Sequence, residues 1–314
     1  HGLYYFVFWF FKGNSACLTL LFFVWEKMAF QEYQSIDDLR QVQKLSILLL
    51  EEFDRACKEL NLSYSVYAGT AIGAIRHGGF IPWDDDVDVC IPRKEYEYFL
   101  SHADEILSDS YELTNVRNTP NFPCTFSYLA LKDTVFIPEF YKDCDYKRPL
   151  SIDVFPLDNV PDDDKSYKRQ ARRTWLWGRL AFLRATPTPY LAFDGMKRTV
   201  VLGLCRIAHE LLKLVGITPA FIQKKWEKAA RMYENEATQY MADYSDRDPK
   251  RWMVSRDEFF PTSEIPFDGI KVQLVHDYDA VLTRGYGDYM EMPPLSERKN
   301  HRPYVLDSGP YSSY

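Results

Sequence analysis

Apolar positions recur along this chain with two periods, and each change of period marks a new element. Leu39, Val42, Leu45, Leu49, Phe53, Ala56 and Leu60 fall at three- and four-residue steps, the spacing of one helix face packed on a core. Ahead of them Ser35-Ile36-Asp37-Asp38 resembles a capping box, with Asp38 in place of the usual Glu. Residues 63–68 then alternate as a strand does, and Gly69 is expected to let the chain turn where that strand stops. Thr70 reads as the N-cap of a short helix through Ala71, Ile72, Ala74 and Ile75, with Gly78 and Gly79 as its stop. Residues 93–107 read as an amphipathic helix. Strand patterns return over 111–116, 125–131, 134–137 and 151–155, which predicts a mixed sheet. Long helical patterns follow over 163–185, 195–215 and 219–243. A strand over 269–274 and a short helix over 278–282 come last.

Within this frame the acidic residues are concentrated in one place. Asp86-Val87-Asp88-Val89-Cys90-Ile91 alternates, so a strand there sends Asp86 and Asp88 to one face, about 7 Å apart, and Val87, Val89 and Ile91 to the other. Two carboxylates so close repel unless a cation lies between them, and hard oxygen donors suit Mg²⁺ bridging to phosphates. The same Asp-x-Asp is also compatible with a solvated acidic turn. A calcium loop over Asp84, Asp86, Asp88 and Glu95 fails because Val89 stands where the sharp-turn glycine belongs and Pro92 lies within the loop. A phosphate is expected at the start of the short helix, where unpaired N–H groups and the dipole favour anions.

The residues Gly69-Thr70, Gly73-Ala74-Ile75-Arg76-His77 and Phe80-Ile81-Pro82-Trp83-Asp84-Asp85-Asp86-Val87-Asp88 resemble the signature of the LicD family of phosphotransferases, which includes fukutin-related protein. The resemblance extends to Ile152-Asp153-Val154-Phe155-Pro156-Leu157-Asp158, to Tyr286-Gly287-Asp288-Tyr289-Met290, and to Pro293-Pro294, Arg298 and His301. It implies an α+β fold with a nucleotidyltransferase-like mixed sheet, related to the DNA polymerase β superfamily. It also implies Asp86, Asp88 and Asp153 as ligands of Mg²⁺ or Mn²⁺, with Asp153 alternatively the base near the nucleophile. Asp84 is expected to orient the turn or a metal-bound water. Gly69, Thr70, Arg76 and Lys132 are expected on the donor's phosphates, and His77, Arg298 and His301 are further candidates. The activity implied is transfer of a phospho-alcohol from a CDP-activated donor, CDP-choline foremost, to a hydroxyl of a surface glycan or lipid-linked glycan. A nucleotidyltransferase using an NTP, or a membrane-surface choline- or glycan-binding protein without catalysis, are the other readings.

The 314 residues divide on this basis into an apolar extension (1–27), a catalytic core (35–160), a helical insert (161–245) and a C-terminal segment completing the core (246–314). Each apolar half of the extension is shorter than the twenty or so residues of a membrane span. It reads as an addition ahead of Met28, with a membrane anchor as the alternative. With 46% hydrophobic and 26% charged residues and a net charge of −7, the chain is globular and has no overall field to attract nucleic acid. Six scattered cysteines without Cys-x-x-Cys spacing fit free thiols in the cytoplasm. The helix over 163–185 mixes Lys165, Lys168, Arg169, Arg172, Arg173, Arg179 and Arg184 with Trp175, Trp177 and Phe182. That mixture fits peripheral contact with the inner membrane surface, and equally a solvated face with an aromatic core stripe.

Overall fold

The structure, a computed structural model, describes residues 33, 35–189, 191, 195–298 and 300–314; the extension over 1–27 lies outside them. Helix α1 (Ile36–Glu59) begins at Ser35, whose hydroxyl accepts the Asp37 N–H. That bond falls one residue short of the Asp38 N–H that a capping box would use. Its stripe of Leu45, Leu49, Phe53 and Ala56 is fully buried, and Phe53 meets Tyr64 and Phe99 edge-on at 5.0 and 5.3 Å. Each large apolar side chain buried in this way contributes about 1.5–3 kcal/mol.

The sheet that α1 covers is mixed, as the alternation predicts. Strands β1 (Ser65–Val66), β2 (Asp88–Pro92), β3 (Tyr111–Thr114), β4 (Ser127–Leu131) and β6 (Ser151–Val160) lie in the order β1-β2-β6-β4-β3. Only β2 and β6 run parallel among these neighbours. The short helix α2 (Ala68–His77) joins β1 to β2, and α3 (Arg93–Ile106) follows β2. Strand β6 runs ten residues, straight through Pro156, where the pattern suggested an end. Its second half pairs with β7 (Tyr240–Ala242), which pairs in turn with β8 (Val254–Ser255). Strand β5 (Val135–Pro138) pairs with β11 (Pro303–Asp307), so the end of the chain is tied back to the middle.

Between β6 and β7 come α4 (Asp164–Ala185), α5 (Gly195–Leu214) and α6 (Pro219–Ala230). Asp163 and Thr218 cap α4 and α6 by accepting the N–H groups of Ser166 and Phe221. Helix α6 stops well before residue 243, because the chain turns after Ala230 and becomes strand β7. The rest of the chain forms α7 (Arg256–Phe259), the hairpin β9 (Ser263–Phe267) with β10 (Ile270–Leu274), and α8 (Tyr278–Tyr286). Helix α8 runs four residues beyond its expected end.

Two local readings change. Tyr67, not Thr70, is the N-cap of α2, and Thr70 is its third residue, buried with its hydroxyl accepting the Asp88 N–H at 2.9 Å. The left-handed turn falls on Ala68 (φ 47°) and not on Gly69. A Cβ at 69 would lie 3.1 Å from Asp84 Oδ2, so a larger residue there would make this carboxylate shift by a few tenths of an ångström. The stop at Gly78 (φ 69°) is as expected. The five described cysteines are all free. No helix among the described residues is long and apolar enough to cross a membrane.

Candidate active site

The parallel pairing of β2 with β6 sets Asp88 directly beside Asp153, on neighbouring strands about 4.8 Å apart. The Asp153 N–H donates to Val87 O at 2.9 Å, and the Tyr67 N–H donates to Asp88 O at 2.9 Å. Backbone bonds on both sides thus hold the two carboxylates at the start of the strand pair. Val87, Val89 and Ile91 are fully buried on the core side. Asp86, just ahead of β2, lines the same cavity as Asp88 and Asp153.

That cavity has a volume of about 440 Å³. Trp175, Arg179 and Phe182 of α4 line it together with the aspartates of its acidic floor, as do Asp243 and Arg247 from the loop after β7. Phe126 and Phe155, 4.2 Å apart between ring centroids, form an aromatic wall. Helix α4 therefore turns Trp175 and Phe182 inward, and Trp177 packs against Phe221 of α6. Its aromatic residues thus serve the cavity and the contact with α6.

The floor carries more negative charge than its partners offset. Burial, then repulsion from Asp86, pushes Asp84 and Asp88 well above the usual carboxylate range. Burial also raises Asp153, but the Arg148 guanidinium at 2.9 Å restrains the rise to about 6. Arg148 is itself buried and stacked on Tyr128 at 4.6 Å. His301 enters from the far end of the chain. Its backbone N–H donates to both oxygens of buried Asp85, at 2.8 and 2.9 Å, and Tyr33 donates its hydroxyl to Asp85 at 2.6 Å. Burial pulls the His301 imidazole down, but Asp86 and Asp85, each 3.3 Å from Nδ1, hold it up at about 9.

Carboxylates whose ionised form is disfavoured by burial and by their neighbours are a fitting donor set for a hard divalent cation, which would favour that form. Among the described residues, the three whose ligand atoms come within 4.8 Å of one another are Asp85, Asp86 and His301. Asp85 already accepts from Tyr33 and from His301, so its oxygens serve to lock the C-terminal segment over the floor. Asp86, Asp88 and Asp153 line the cavity, as do Asp243 and Asp246.

Comparison with known proteins bears on this floor. The family model described as "LicD/FKTN/FKRP, nucleotidyltransferase domain" matches residues 61–157, the stretch from the end of α1 through β2 and into β6. The chain is also 28% identical over 269 residues to the lipopolysaccharide cholinephosphotransferase LicD of Haemophilus influenzae, covering 84% of this chain and 95% of that one. Residues 61–157 thus carry a LicD-family domain. A shorter stretch of 51 residues is 35% identical to an uncharacterised protein of Rickettsia typhi, 16% of each chain.

The LicD-family motif residues divide between two tasks. Asp86, Asp88, Asp153 and His301 meet in the cavity, and Asp84 lies behind them against the first turn of α2, near Gly69. Asp84 thus puts a carboxyl group at the helix start where a phosphate was expected. Arg76 does not reach the cavity: it donates to the carbonyls of Tyr289 and Glu291 at 2.7 and 3.1 Å, bracing the Tyr286-Gly287-Asp288-Tyr289 segment. His77 is exposed beside it and accepts from Arg76 Nε. Arg298 stacks over Trp83 at 4.2 Å and donates to Pro293 O. Lys132 donates to Asp109 O at the other end of β4. Arg148, Asp85 and Asp243 escaped sequence reasoning. Arg148, five residues before Asp153 and next to an apolar strand, was the one with a visible signal.

Proposed function

We propose that this protein transfers a phospho-alcohol group, phosphocholine from CDP-choline, to a hydroxyl of a cell-envelope glycan with release of CMP. The observation that carries this reading is that Asp86, Asp88 and Asp153 line one cavity together with aromatic residues and with Arg148, Arg179 and Arg247. The relative from H. influenzae that spans most of the chain is named as a lipopolysaccharide cholinephosphotransferase. Aromatic faces suit a quaternary ammonium, and Phe126, Phe155 and Trp175 supply them here.

Asp86, Asp88 and Asp153 would hold Mg²⁺ or Mn²⁺. When bound, the ion supplies charge neutralisation for the donor's phosphates and the departing CMP. Arg179 and Arg247, which line the same cavity, would offer two cations to a donor phosphate. His301, kept protonated by Asp85 and Asp86, adds a further positive charge beside the floor. Asp85 and Tyr33 keep that imidazole in place.

Thermal unfolding tests the reading. With Mg²⁺, ligand at one hundred times its dissociation constant stabilises by about 2.7 kcal/mol. The expected result is Mg²⁺-dependent stabilisation by CDP-choline, lost in Asp88→Asn, with CMP released when glycan acceptor is added. Stabilisation by CDP-ribitol or CDP-glycerol in its place would keep the reaction and change the alcohol. Stabilisation by CTP or ATP alone would replace it with nucleotidyl transfer. Donor binding without CMP release would leave a binding protein.

A further inference from the structure

Helix α5 has two apolar faces, and among the described residues only one of them has a partner. Val201, Cys205 and Leu212 are buried against Leu180 and Leu183 of α4 and Ile222 of α6. On another face Met196, Val200, Leu204, Ile207, Leu211 and Leu214 follow at three- and four-residue steps, between 42% and 85% exposed. A continuous stripe of this length on solvent marks an interaction surface.

The charge around the stripe identifies its partner. Eleven of the chain's 38 basic residues fall in α4 and α5, against two of its 45 acidic residues, Asp164 and Glu210. The two helices thus carry +9 in a chain of net charge −7, which leaves −16 for the rest. Lys165, Lys168, Arg172 and Arg173 of α4 and Arg198 and Arg206 of α5 are exposed. A second copy docked stripe to stripe would bring the exposed basic residues of one copy near those of the other, and that like-charge juxtaposition opposes pairing. A bilayer with anionic headgroups matches both properties: apolar side chains enter the interface while lysines and arginines meet the phosphates.

We infer that the α4–α5 pair is a docking surface for an anionic phospholipid bilayer, with the Met196–Leu214 stripe inserted and the exposed basic residues of both helices on the headgroups. Helix α4 links this surface to the cavity: Trp175, Arg179 and Phe182 line the cavity, and Lys168 and Arg172 lie seven residues before Trp175 and Arg179 on the same helix face. Acceptors displayed on lipid would be met next to the membrane. The α4 basic residues act through charge, and the apolar contribution comes from α5.

The test is flotation of the full chain with vesicles of phosphatidylcholine, alone or mixed with phosphatidylglycerol. Wild type is expected to float with the anionic vesicles only, and less as salt rises. Ile207→Glu/Leu211→Glu, on exposed positions that leave the fold intact by circular dichroism, is expected to bind at least tenfold more weakly. Arg172→Glu/Arg173→Glu should lose about fivefold or more per position. Equal flotation of wild type and Ile207→Glu/Leu211→Glu would overturn the inference, as would equal binding to neutral vesicles. A dimer in light scattering that Ile207→Glu/Leu211→Glu dissolves, without vesicle binding by wild type, would assign the stripe to a second copy. None of these readouts needs donor or turnover, so they stand or fall separately from the proposed reaction.

Discussion

Asp243→Asn should make the protein more stable at alkaline pH, by an amount the structure allows one to work out. Asp243 follows β7, is 3% exposed, and accepts the Ser245 N–H and hydroxyl on Oδ1 at 2.7 and 2.6 Å. Burial pushes its carboxyl up from 3.8 to about 7, although the Ser245 bonds favour the anion. The folded chain therefore holds a proton that the unfolded chain has released, and stability from this group falls as pH rises through that window. Roughly three pH units at about 1.4 kcal/mol each make a penalty of about 4 kcal/mol, fully developed above pH 7. Between pH 5 and pH 8 the change is about 2.5 kcal/mol. Asparagine keeps an Oδ1 acceptor for both Ser245 donors and carries no charge at any pH. Asp84, Asp88 and Asp153 titrate in both proteins and Asp88 feels the Asp243 charge only as a minor cause of its shift, so the difference between variant and wild type reports chiefly on residue 243. Urea unfolding of each at pH 5 and pH 8, without ligands, reads it directly. Wild type should lose about 2.5 kcal/mol more than the variant on going to pH 8. Equal losses would refute the argument that burial keeps Asp243 protonated.

Two further outcomes follow from packing. A Cβ at Gly73 would stand 2.4 Å from Gly79 O and 3.2 Å from Ile81 N, both backbone, so Gly73→Ala should cost about 1–3 kcal/mol in urea unfolding. A variant as stable as wild type would mean that α2 can move away from residues 79–81. Arg93 and Asp158 form a doubly hydrogen-bonded pair at 2.7 and 2.6 Å, at 4% and 1% exposure. Arg93→Met strands the carboxylate and should cost about 3–5 kcal/mol, and adding Asp158→Leu should recover much of that. If the double variant is no more stable than the single one, the stranded charge is not the cause.

The helices and the core side of the sheet were legible in the sequence because local periodicity determines them. Leu45, Leu49 and Phe53 of α1, and Val87, Val89 and Ile91 around β2, are buried as their spacing requires. Boundaries failed where a neighbour overrode local pattern. Pairing with β7 carries β6 on past Pro156, and Ala68 takes the left-handed turn that Gly69 was expected to make. The site shows the same division. Asp86, Asp88 and Asp153 were visible as carboxylates in apolar strands, and they share the cavity. Arg76 and Lys132 looked equally suited to phosphate, yet they donate to backbone carbonyls outside it. A long cationic side chain satisfies whichever acceptor the fold brings near, and sequence spacing does not say which.

By itself, then, the order of residues determined which segments would be helix or strand, and placed a dense acidic motif at the start of a buried strand. These follow from interactions within a few residues. Only the tertiary structure decided that Asp88 would stand beside Asp153, that Asp85 would fasten His301 from 216 residues away, and that Arg148 would temper the floor. It also decided that α4 would turn its aromatic residues to the cavity while α5 kept an apolar stripe on the outside. Those are outcomes of strand register and helix packing, in which residues far apart along the chain compete for the same buried space.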